Sequence, residues 1–128
     1  MPASGFSDKE PEAKKETTGA YFWVFHEFKP DAAEAWWAQM GVVMGDADKF
    51  AAMVKGHVEA GFFNHSFVPV GGDKPAVCIW ECSTDCSLEE FQAFIDGPLG
   101  PGGDGAMVNR SFKVAPGANV PSAKFAKA

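Results

Sequence analysis

Arginine is almost missing from this chain: Arg110 is the only one among 11 basic residues, which face 17 acidic ones. The formal net charge of -6 repels phosphate backbones, and no lysine cluster offsets it. Nucleic acid and anionic membrane are therefore poor partners, and the charge reads as a solubility device. Also absent is any apolar run of about 18 residues, the length a membrane-spanning helix needs. The first twenty residues hold no apolar stretch of the secretory-signal type. The expected location is cytoplasmic, unless a targeting peptide has been removed.

Cysteine is scarce, with only Cys78, Cys82 and Cys86. An odd number in a chain able to build a core does not suggest a disulfide scaffold, and a reducing compartment is expected. The spacing is C-x3-C-x3-C, but Cys78 and Cys82 sit four apart on a predicted strand. That is roughly 13 Å by the strand rise, too far to share one ion. The three are expected to be small buried apolar residues and one loop thiol. The three histidines form no i, i+4 pair and no His-Glu-x-x-His pattern, so neither a metal nor another cofactor is expected. The glycine-rich stretch 97–105 lacks the Lys-Ser/Thr of a phosphate loop, and reads as a flap or dimer-contact loop.

What the chain does hold is aromatic carbon. It has 12 Phe and 4 Trp against 1 Tyr in 128 residues, large apolar rings with few polar handles. Residues 1–19 are polar, charged and Pro-containing, and read as a flexible arm; 115–128 read as a C-terminal tail. Between them, 20–114 form one domain.

The elements follow from pattern. Ala20–Phe28 is a strand with Phe22, Val24, His26 and Phe28 on one face and Tyr21, Trp23, Phe25 and Glu27 on the other. Both faces are apolar, which predicts a central strand. Asp31 with Glu34 reads as a capping box for a helix carrying Trp36, Trp37, Met40 and Met44. A second helix from Asp46 carries the stripe Phe50, Met53, Val54, His57 and Val58. Phe62–Val70 and Ala76–Cys82 are strands joined by a glycine turn, hence antiparallel. Ser87 and Glu90 cap a third helix, and Ala106–Val114 is the last strand.

This strand–helix–strand–strand–helix–strand order predicts an α+β, ferredoxin-like domain: a four-stranded antiparallel sheet with all helices on one face. The other face would be bare yet apolar, a liability in water. A second copy packed sheet to sheet is the simplest remedy, giving a homodimer with a barrel-like interior.

With Phe25-His26-Glu27-Phe28-Lys29-Pro30-Asp31 leading from strand to helix, and Ile79-Trp80-Glu81 leading to the third helix, the chain resembles the dimeric α+β-barrel superfamily. That group includes stress-responsive barrel proteins, small cofactor-free monooxygenases, polyketide cyclases and haem-degrading enzymes. The resemblance implies a lumen between the two sheets and, from the cyclase-like members, a strand histidine as acid/base, a part His26 could take. The haem-degrading members place a ligand histidine on the third helix, and Ser87–Asp96 has none.

The lumen candidates are His26, His65, Trp80 and Arg110, suited to a small flat hydrophobic ligand. His65 is placed on a face with Phe63 and Phe67, opposite Asn64 and Ser66. His57 on its apolar stripe reads as a core residue. Glu81 is either a buried carboxylate or solvent-facing. Three functions fit: a ligand-binding dimeric barrel; a cofactor-free oxygenase, cyclase or isomerase moving protons at His26; or a structural dimer without a cavity.

Overall fold

A computed structural model describes residues 19–102 and 105–125. The arm expected over 1–19 lies outside the described residues except for Gly19. The elements run β1 (Tyr21–Phe28), α1 (Ala33–Met44), α2 (Ala47–Glu59), β2 (Phe62–Pro69), β3 (Ala76–Cys82), α3 (Leu88–Asp96) and β4 (Met107–Lys113). The strands form one sheet in the order β2-β3-β1-β4, every neighbouring pair antiparallel. The strand with two apolar faces, β1, is indeed internal.

Helix starts follow local chemistry. Ser87 and Glu90 form the expected capping box, and the Asp46 side chain accepts from the Asp48 and Lys49 N–H groups. The Asp31 box does not form. Asp31 takes a left-handed φ of 63°, and Ala32 becomes the cap of α1 with no side-chain bond. Pro30 fixes the chain just ahead of Asp31, and the turn closes instead by the Ala32 N–H donating to the Lys29 carbonyl.

The core lies between the sheet and the helices. Phe22, Val24, Cys78, Trp80, Cys82, Phe91 and Ile95 form its buried cluster, with Phe62, Phe67 and Phe94 packed against it. The ring of Phe22 stacks on Phe91 at 4.3 Å, and Phe62 stacks on Phe94 at 3.9 Å, so α3 is docked on the sheet by aromatic pairs.

Two further sequence expectations need correction. Cys82 and Cys86 are joined as a disulfide, which leaves Cys78 as the one free cysteine among the described residues. The strand places Cys82 at its last residue and the short 83–85 turn brings Cys86 back beside it. Persistent disulfides belong to oxidising compartments, so the cysteines give no support to a reducing one. The second correction concerns β2. Its register shifts between Asn64 and Ser66, which pair with the consecutive residues Trp80 and Ile79. His65 is the extra, bulged residue. Alternation breaks there, so His65 and Phe67 do not share a face: Phe67 packs toward Trp36, and His65 toward Glu81.

Replacing Phe91 with Ala should cost about 3–5 kcal/mol of stability, measured by urea unfolding, because it removes the ring on which α3 rests.

Candidate functional site

The face of the sheet that carries the helices is not filled edge to edge. Beyond the core cluster, a cavity of 540 Å³ lies between α1, α2 and the β2–β3 side of the sheet. Trp36, Met40 and Met44 come from α1; Phe50, Met53 and His57 from α2; Asn64 and Phe67 from β2; Cys78 and Trp80 from β3. The i, i+4 spacing of Trp36, Met40 and Met44 sets them on one helix stripe. Residues 98–101 close one end.

That closing loop is pinned rather than free. Trp36 Nε1–H donates to the Pro101 carbonyl at 2.6 Å, and His57 Nε2–H donates to the Leu99 carbonyl at 2.8 Å. Gly100 is buried so closely on the Ile95 carbonyl that a Cβ would collide with it. The stretch 97–105, expected as a flap, is thus tied down over 97–102; residues 103 and 104 lie outside the described residues.

The cavity's polar groups are few. His57 donates through Nε2, which leaves Nδ1 as the acceptor. Burial holds its imidazole below the ordinary 6.5, against the opposing pull of the Leu99 bond. Burial likewise pushes the Cys78 thiol up to about 11, although the Asn64 and Trp80 side chains favour its thiolate. At neutral pH it is a thiol, a poor nucleophile. Trp80 Nε1 is buried, with its indole against the Cys78 thiol, and does not open into the cavity.

Of the four residues expected to share a lumen, Trp80 and His65 both border the cavity, the His65 imidazole being held by Glu81; His26 lies on the helix side outside the cavity, and Arg110 lies on the face without helices. His26 is 1% exposed and does not line the cavity. Its Nδ1–H donates to Asn109 Oδ1 at 2.6 Å; the Asn109 amide donates in turn to the Ile95 carbonyl and to Asp96 Oδ1 on α3. This fixes the neutral tautomer and leaves Nε2 without a partner. Burial outweighs the Asn109 bond and lowers the His26 pKa. Arg110 lies over the Phe25 ring at 4.9 Å and reaches Glu27 at 3.5 Å on the exposed sheet surface.

Sequence reasoning passed over Met40, Met53 and Asn64 as site residues, and set His57 aside as core. The methionines and His57 fall on the inward stripes of two helices, a pattern shared with ordinary packing. Only the distance between helices and sheet shows that the space is unfilled. No group of three His, Cys, Asp or Glu among the described residues is placed to hold a metal ion. No helix among them is long and apolar enough to cross a membrane.

Because folding lowers the pKa of both His26 and His57, the unfolded chain takes up protons there first. Their contribution to stability is complete above the ordinary imidazole value and erodes as pH falls below it. The melting temperature should therefore drop between pH 7 and pH 5, and a His26→Gln, His57→Gln double variant should flatten that slope in thermal scans.

No curated protein and no solved structure matches the chain. A family model described as a domain of unknown function, DUF8652, matches residues 21–120, from the first residue of β1 to well past the end of β4. The match takes in the whole sheet, all three helices and every residue lining the cavity: the chain belongs to the DUF8652 family.

Proposed function

We propose that this protein binds a small, flat, largely apolar molecule in the cavity between α1, α2 and the β2–β3 side of the sheet. The observation that carries the reading is the cavity itself: 540 Å³, walled by tryptophan, phenylalanine and methionine, with His57 and Asn64 among its lining. Ligand sites are concave, mostly apolar and furnished with a few fixed polar groups, and this volume lies within their usual range of about 300–1,000 Å³. A hydroxyl on the ligand could donate to His57 Nδ1. Methionine walls adapt their shape to what they enclose. The thiol of Cys78 and the neutral His57 make this a binding site in the first instance, with no activated nucleophile in it.

The strand order, read from the other edge as β4-β1-β3-β2, supports a ferredoxin-like architecture. The second reading is a homodimer through the sheet. It is favoured by Trp23 at 38% and Phe112 at 52% exposure, whose rings lie 5.7 Å apart on the face without helices, beside Phe25 and Val108. A clustered aromatic patch of this kind is what one sheet offers another.

Titration with 2-naphthol should quench the tryptophan fluorescence saturably, and Met53→Trp should fill the cavity and abolish the effect while the chain stays folded. Binding that is absent, or that survives Met53→Trp unchanged, would refute the cavity reading. Sedimentation velocity addresses the dimer: the natural chain should sediment as a dimer at tens of micromolar (roughly the affinity of a small interface) and Phe112→Glu as a monomer. A natural chain that stays monomeric would end that reading.

A further inference from the structure

The sheet face without helices carries a second cluster of polar groups, and the chain's own tail sits on it. Glu81 is on this face, yet its side chain is 0% exposed. Its Oε1 accepts from His65 Nε2 at 2.7 Å and from the Lys124 backbone N–H at 2.8 Å, and its Oε2 accepts from the Phe125 N–H at 3.0 Å. The Tyr21 hydroxyl donates to the Pro121 carbonyl at 2.8 Å, and its ring stacks on His65 at 5.6 Å.

We propose that Tyr21, His65 and Glu81 form a second binding site, for a peptide segment that presents successive main-chain N–H donors at a bend, and that residues Pro121–Phe125 of the same chain fill it. Three of the contacts are to main-chain atoms: two N–H groups read by a carboxylate and one carbonyl read by a phenol. Bonds from N–H to an ionised carboxylate are among the stronger ones. Such recognition reads the backbone, bent at Lys124 and Phe125 so that two successive N–H groups reach one carboxylate, and is tolerant of side chains. The side-chain contribution is small, with Lys124 Nζ lying over the Phe63 ring at 5.3 Å.

The chemistry of the site is set for this task. Burial, the largest influence on Glu81, would raise its carboxyl pKa; the His65, Lys124 and Phe125 bonds together bring it below the ordinary value. It is an acceptor across the neutral range. Burial and then Glu81 push Tyr21 up to about 12, so its hydroxyl remains a donor. The bulge at His65 serves the site, because it turns that imidazole onto Glu81. The groups facing Glu81 are thus His65 from β2, Tyr21 from β1 and the two N–H groups of the tail. Since the occupant is tethered through 115–120, a peptide from another molecule must compete with a high local concentration.

The test uses the full chain. Lys124→Pro with Phe125→Pro deletes both main-chain donors without touching the site. Anisotropy of a fluorescein-labelled peptide of residues 116–128 then reports occupancy. The natural chain should not bind it, the double proline variant should bind it saturably, and adding Glu81→Gln should weaken that binding at least tenfold. Thermal unfolding confirms that each variant is folded. The proposal fails if the natural chain binds the peptide as well as the proline variant does, if the proline variant does not bind, or if Glu81→Gln changes nothing. In the unaltered chain, the Lys124 and Phe125 amides should exchange with solvent deuterium more slowly than in the free peptide; equal rates would also overturn it.

Discussion

A four-stranded sheet whose connecting helices all lie on one side has to satisfy two surfaces by different means. On one side, aromatic stacking of Phe22 on Phe91 and of Phe62 on Phe94 locks α3 against β1, β3 and β2. α1 and α2 lie over the β2–β3 half, and the cavity opens there, beside the densest part of the core.

The opposite surface is managed in parts. Its lower end, at the start of β1 and the end of β3, is covered by the C-terminal segment through the Glu81 carboxylate. Its middle keeps Trp23, Phe25 and Phe112 in contact with water, tempered by Arg110 over Phe25. A buried carboxylate on a face that no helix covers is costly unless its oxygens are occupied. Glu81 meets that condition only with the tail in place, which ties the last described residues of the chain to the middle of its sheet.

Much of the architecture was legible in the residues. Period-two alternation placed β1 and β3, the Ser87–Glu90 spacing placed the start of α3, and Asp46 placed that of α2. The element bounds fall within two residues of the pattern. What escaped had non-local or single-residue causes. A bulge is one residue long and leaves no mark in composition, so His65 and Phe67 were assigned a common face they do not share. The Cys82–Cys86 pairing depends on how the 83–85 turn folds back, which spacing alone did not disclose. Asp31 carries the residue type of a helix cap and adopts a left-handed turn instead. The site itself was half legible: Trp80 and His65 both border the cavity, while His26 and Arg110 lie away from it. Whether a strand residue faces helices or water is decided by its neighbours, and a single alternating strand with two apolar faces is silent on it.

Gly100 lies hard on the Ile95 carbonyl, so the closing loop admits no side chain at that point, and Trp36 and His57 hold the carbonyls on either side of it. That end is rigid. Elsewhere the lining includes Met40, Met44 and Met53, unbranched thioethers on α1 and α2. Changes of shape are therefore confined to positions that the sheet does not need. Selectivity in this domain can drift through those few methionine positions while the scaffold, and the tail docked on its far side, stay as they are.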